Sequence, residues 1–396
     1  MKITSVKAVP VRLPGARRAL GTAGSPTELQ SGTGDYWWSR TVGALYSIHF
    51  ETALVKLVTD SGITGWGEAQ APLAPEVACE IVRLLLRPVL EGEEFDGSVE
   101  GIGAMWEHMY RTMRVRGQTS GFMLDAISGV DLALWDVAGQ AQGKSVSELI
   151  GSGSTPDAVP AYLSGIAGAE AGEFTQNVAR ATEAGFRTFK LFHDAGTAKL
   201  LSRFDALVAN GPAGARVAVD ALWRFDVETA AAFGEQLDSR DALWLESPLP
   251  PEDVPAHAAL ARRIRTPLAA GECYRTRWEI APFLREQALA IVQPDLGRCG
   301  VTEFLKIAAT AREAGARVIP HVSIALGPQI AAAVHAAAAC GCEMLEFNPR
   351  VLEVANAWLE EPLTVTGGAW QVPRRPGLGV RIREAALRER IQVPRS

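Results

Sequence analysis

The chain has 396 residues, 47% of them hydrophobic and 21% charged, and a formal net charge of −6. This is the make-up of an ordinary globular protein longer than one bare domain. An acidic balance without a basic stripe argues against nucleic acid as a partner. The five cysteines, Cys79, Cys273, Cys299, Cys340 and Cys342, are odd in number and lack zinc-type pairs. A reducing compartment is therefore expected rather than a disulfide framework.

The chain opens on a strand-like Ile3-Thr4-Ser5-Val6 with no basic region leading into an apolar core, so no signal peptide is expected. Alternation at 2–13 and 51–59, the turn Asp60-Ser61-Gly62, and Gly65-Trp66-Gly67-Glu68 predict a small antiparallel sheet, with helical segments from about 76 to 141. Residues 1–130 thus read as an α+β capping domain. Between its first two strands lies a long loop, 14–46, carrying Tyr36, Trp37, Trp38, Arg40 and Tyr46. A loop of that length in a compact domain is either disordered or functional, and its aromatic residues favour a lid that sets substrate specificity.

From 131 to 354 the pattern changes. After an apolar run at 159–163, seven short runs each close on an ionisable residue: Lys190, Asp220, Glu246, Glu272, Asp295, His321 and Glu346. Their spacing is about 23–30 residues, the length of one strand, one helix and two loops, and Ala-rich helical stretches lie between them. Eight strands at this pitch predict a parallel β/α barrel, whose strand C-termini converge on one mouth. The most apolar helix candidate, 330–340, is too short to span a bilayer and contains His335, so no membrane partner is expected and a cytoplasmic location is. The tail, 355–396, has strand-like pieces at 363–366 and 370–372 and is expected to return to the capping domain.

Asp220, Glu246 and Glu272 end three consecutive strands, and like charges that close need a cation. Oxygen-only ligands suit Mg²⁺, whereas zinc would want His or Cys. On the next two strands Asp295 can orient His321 and raise its pKa, making it a base and then an acid near neutral pH. The remaining histidines, His49, His108, His193, His257 and His335, read as structural. Lys190, across the barrel, would neutralise the enediolate that forms when a proton leaves the carbon next to a carboxylate. Glu346 could donate a proton to the developing oxyanion if burial raises its pKa; pairing with Arg350 is the alternative.

These residues, in this order, resemble the mandelate racemase subgroup of the enolase superfamily. The resemblance runs through Thr59-Asp60-Ser61-Gly62-Ile63-Thr64-Gly65-Trp66-Gly67-Glu68, Val130-Asp131-Leu132-Ala133-Leu134-Trp135-Asp136, the Glu246 of Leu-Glu-Ser-Pro, the Glu272 of Ala-Gly-Glu, the Asp295 of Gln-Pro-Asp-Leu-Gly-Arg, the His321 of Ile-Pro-His and the closing Val372-Pro373-Arg374-Arg375-Pro376-Gly377. It implies an α/β fold, a modified (β/α)7β TIM barrel with an N-terminal α+β capping domain completed by the C-terminal tail. It also implies Mg²⁺ on Asp220, Glu246 and Glu272, a sugar-acid substrate, and assembly with further copies of the chain. The subgroup often carries Lys-x-Lys on the second barrel strand, the second lysine serving as base opposite the histidine. Here Lys190 is kept and Phe192 replaces the second lysine. Because 190 and 192 share one face of a strand, a base on that side is missing. This favours an acid-sugar dehydratase, giving a 2-keto-3-deoxy acid from an aldonate or aldarate, over a racemase or epimerase that would use Lys190 as second base. A non-catalytic binding protein on the same fold is the reading from another class. Candidates for gripping distal hydroxyls are Trp37, Trp38 and Arg40 in the loop and Trp223 and Arg275 after their strands.

Overall fold

Alternating side chains make Ile3–Leu13 the first strand, β1; the computed structural model describes residues 1–13, 35–39, 43–151, 155–166, 168, 170–194, 196–385 and 387. Most of the 14–46 segment, Arg40 included, lies outside them. Its last part is not loop: Tyr36–Ser39 (β2) and Ala44–Ser47 (β3) pair as an antiparallel hairpin with Trp37 opposite Tyr46. Phe50–Thr59 (β4) and Thr64–Ala69 (β5) join β1 in a three-stranded sheet of order β1-β4-β5.

The helix Phe122–Gln142 lies against this sheet and is buried from Met123 to Gly139. Its backbone rests directly on β5. A Cβ added at Gly67 would come within 1.9 Å of the carbonyl oxygen of Gly129, so glycine is required there. Three carboxylates of this helix then reach outward. Asp131 accepts from the backbone N and hydroxyl of Thr302, and Asp136 accepts from the backbone N–H groups of Trp66 and Leu378. Asp125 takes a two-pronged grip from Arg275. Buried polar groups are stable only when so paired.

The barrel strands are β6 (Ala158–Ser164), β7 (Thr188–Phe192), β8 (Arg216–Asp220), β9 (Leu245–Glu246), β10 (Leu268–Ala270), β11 (Ile291–Val292), β12 (Arg317–Val318) and β13 (Leu345–Phe347). Consecutive strands from β6 to β12 pair in parallel, and β13 returns to pair with β6. Beyond β13, Val365–Thr366 (β14) and Ala369–Gln371 (β15) form a hairpin, and β15 adds antiparallel to the first half of β6. Farther on, Leu359 and Ile382 form a bridge, and Lys56 of β4 pairs with Glu384. The tail therefore touches both the barrel sheet and the antiparallel sheet. Among the described residues no helix is long and apolar enough to cross a membrane, and all five cysteines are free.

Candidate functional site

Inside the barrel, Tyr162, Ala218, Trp244, Ala269, Ile291, Ile319 and Met344 form an apolar plug distinct from the main core. Strand alternation puts the residue two positions on at the same inward face, one layer nearer the strand C-termini. Thus Ala218 leads to Asp220, and Trp244 to Glu246. The plug is the floor of the site and the ionisable residues are the layer above it.

Lys190 is fully buried and gathers three carboxylates: Nζ lies 2.7 Å from Glu246 Oε1, 3.0 Å from Glu346 Oε1 and 3.7 Å from Asp220 Oδ2. Burial alone would lower its pKa, but Glu246 and Glu346 more than offset this and hold it well above the ordinary lysine value. Its Nζ also sits over the rings of Tyr162 and Phe192. Glu246 is held from its other side, Oε2 accepting from Trp244 Nε1 at 3.0 Å and Gln293 Nε2 at 2.8 Å.

On the opposite side, His321 Nδ1 is 2.8 Å from Asp295 Oδ2, and Nε2 is 2.7 Å from Glu272 Oε2 and 3.5 Å from Glu346 Oε2. Burial disfavours the imidazolium, yet Glu272 and Glu346 raise its pKa well above the ordinary histidine value. Burial likewise works against ionised Glu272, and His321 overcomes it, holding Glu272 below the usual carboxylate range. Glu346 joins the two halves. Tyr162 donates its hydroxyl to Glu346 Oε2 at 3.1 Å.

Two expectations need correction here. Glu346 does not have its pKa raised by burial: Lys190 and His321 outweigh that effect and bring it down to about 2. Arg275 is not free to grip a substrate, because its guanidinium is bound to both oxygens of Asp125, at 2.9 and 3.1 Å, and to the carbonyl of Cys273.

Of the other anticipated contacts, Trp37 is buried and stacked on Tyr46, while Trp38 is half exposed on the same hairpin. The hairpin is tied to the antiparallel sheet by Tyr36, whose hydroxyl donates to Glu51 and accepts from Ala74 N. Trp223 follows β8 in a left-handed turn, φ 54° after Leu222 at 55°, and gives its N–H to Ser247 O. Such backbone strain in non-glycine residues is typical of functional loops.

The oxygen donors fit a hard divalent cation by their chemistry. Asp220 is pushed well above the usual carboxylate range by burial and then by repulsion from Glu246 and Glu272, so the three carboxylates already feel one another. Five carboxylates face one ammonium and one imidazole in this layer, an excess of negative charge that a cation relieves. Among the described residues, however, no three ligating side chains converge as a ready cluster. In this arrangement Glu246 is paired with Lys190 and Glu272 with His321.

Sequence reasoning missed Tyr162, Trp244, Gln293 and Gln329, which grip the acidic residues. Trp244 and Gln293 lie two residues before Glu246 and Asp295, a spacing that puts them on the same strand face. Gln329 carried no such signal, because it reaches Asp295 from a helix.

Residues 44–151 match the mandelate racemase / muconate lactonizing enzyme N-terminal domain, and residues 173–386 match the enolase C-terminal domain-like family. The chain is 32% identical over 351 residues to the D-galactarolactone cycloisomerase of Agrobacterium fabrum, covering 85% of this chain and 90% of that one. It is 29% identical over 344 residues to the arabinonate dehydratase of Saccharolobus solfataricus, covering 86% and 90%. It superposes with a TM-score of 0.80 and 25% identity on L-talarate dehydratase from Polaromonas sp. JS666 complexed with Mg and L-glucarate, covering 99% of this chain and 98% of that one.

Proposed function

This chain belongs to the mandelate racemase / muconate lactonizing enzyme family and is an enzyme of the enolase superfamily, and we propose that it dehydrates an acid sugar, an aldonate or aldarate, to a 2-keto-3-deoxy acid. One observation carries the preference for dehydration. Facing the Asp295–His321 pair stand Phe192, where a second base would be, and a lysine bound by three carboxylates, so the side opposite the histidine offers no free base. Racemisation needs a base on each face of the carbanion; elimination needs one.

Asp220, Glu246 and Glu272 would hold Mg²⁺, which when bound supplies fixed positive charge beside the substrate carboxylate. His321 would take the C2 proton at Nε2 once Glu272 releases that nitrogen, since Nδ1 is committed to Asp295. The ammonium of Lys190 stabilises the negative charge that develops on the carboxylate side. The C3–O bond then breaks, the imidazolium returns its proton to the departing hydroxyl as water, and the enol tautomerises to the ketone. The ionised Glu346 keeps Lys190 and His321 in register. The identity to a cycloisomerase favours a second reading with the same opening proton transfer, and an epimerase using Lys190 is a third.

The test is incubation with Mg²⁺ in D₂O against aldonic, uronic and aldaric acids, following the α-proton by NMR and the product with a carbonyl reagent. A 2-keto product that vanishes in His321→Asn supports the proposal. Exchange or inversion without 2-keto product refutes it in favour of the epimerase.

A further inference from the structure

Asp295 is gripped at both oxygens. Oδ2 faces His321 Nδ1, while Oδ1 accepts from Gly297 N at 2.8 Å and from Gln329 Nε2 at 2.9 Å. A carboxylate held at only one oxygen can turn about its Cβ–Cγ bond and take the imidazole with it; two donors on the far oxygen prevent this.

Gln329 is placed by the other half of the molecule. It is the second residue of the helix Pro328–Ala339, whose N-cap, Gly327, has no side chain to satisfy the free N–H groups. Glu68 of β5 supplies that function. Its Oε1 accepts from Leu326 N at 2.6 Å and from the Thr52 hydroxyl at 2.9 Å, and its Oε2 accepts from Gln329 N at 3.3 Å. Gly297 makes room for the amide, since a Cβ there would lie 2.2 Å from Gln329 Oε1. That oxygen is buried and has no protein partner among the described residues. The segment after Asp295 is also tied down: Leu296 O accepts from the Ser128 hydroxyl, and Gly297 O from Gln70 N.

We propose that Gln329 is a positioning residue, set by Glu68, that fixes Asp295 and through it the imidazole of His321. The proposal rests on His321 being the base. It assigns to the β5 Glu68 a part in catalysis without contact with substrate.

The test uses full-length protein with ¹⁵N-labelled histidine. Wild type should show a sharp downfield Nδ1–H resonance that disappears in His321→Asn. In Gln329→Met, of similar shape, that resonance should broaden or move. kcat should fall about 10- to 100-fold with KM and the Mg²⁺ midpoint unchanged. No such resonance in wild type, an unaltered one in the variant, or kcat within about twofold of wild type would each overturn the proposal. If Gln329→Met does not fold, Glu68→Gln carries the same test, with a smaller shift and the same outcomes. The resonance needs no substrate, so failure of the dehydratase reading leaves it separately readable.

Discussion

Replacing Lys190 by Met removes the one ammonium beneath the site while keeping an unbranched chain of similar length. At an effective dielectric of about 20, a contact near 3 Å is worth roughly 5–6 kcal/mol gross, and Lys190 has two, with Asp220 somewhat farther away. Desolvation of the ammonium takes back several kcal/mol, so the observable cost is that of breaking a buried ion pair from one side, about 3–5 kcal/mol. For a chain of 396 residues the unfolding entropy is about 0.8 kcal/mol/K, so Tm should fall by about 4–6 °C. The variant leaves a more negative site, so Mg²⁺ should raise its Tm more than it raises that of wild type. The assay is a thermal melt of both proteins at neutral pH, in chelator and in Mg²⁺. Equal melting temperatures in chelator would refute the claim that Lys190 neutralises this cluster.

Asp220→Asn should weaken Mg²⁺ binding, read as a smaller Mg²⁺-induced rise in Tm; an unchanged rise would remove Asp220 from the ligand set. Gly297→Ala should cost about 1–3 kcal/mol in urea unfolding, because the new methyl meets the Gln329 amide, and undiminished stability would show that the contact yields freely. His335 accepts from Ser147 N and donates to Leu378 O, and burial lowers its pKa to about 4. Between about 4 and 6.5 the unfolded chain binds a proton there that the folded chain does not. Its contribution is therefore complete above pH 6.5 and lost as the pH falls to 4, about 3 kcal/mol in all. Urea titrations at several pH values should show a shallower acid decline in His335→Gln, and parallel declines would refute this.

The barrel and the order of its strand-end residues were legible because each side chain sits at the end of a short apolar run, and a fixed pitch converts that into convergence on one mouth. Asp295 beside His321 followed from neighbouring strands alone. What the pitch could not give was the pairing within the layer. Glu346 reaches both Lys190 and His321, so its charge is set by two cations on different strands, not by the burial that a single position suggests. Arg275 looked free for the same reason: its partner, Asp125, lies 150 residues away on a helix, and only the docking of that helix brings them together. The hairpin at 36–47 was obscured by composition, since its strands are only four residues long and follow a Gly-, Ser- and Thr-rich stretch.

The barrel contacts that hold the layer of ionisable residues are themselves braced from outside the barrel. Glu68 caps the helix that carries Gln329, Ser128 and Gln70 hold the backbone after Asp295, and Asp131 takes Thr302 N just past the break at Gly300, where φ is 68°. Each joins the N-terminal sheet or its helix to the barrel and contributes about 0.5–1.5 kcal/mol net. The same bonds that hold the two halves together thus align the imidazole.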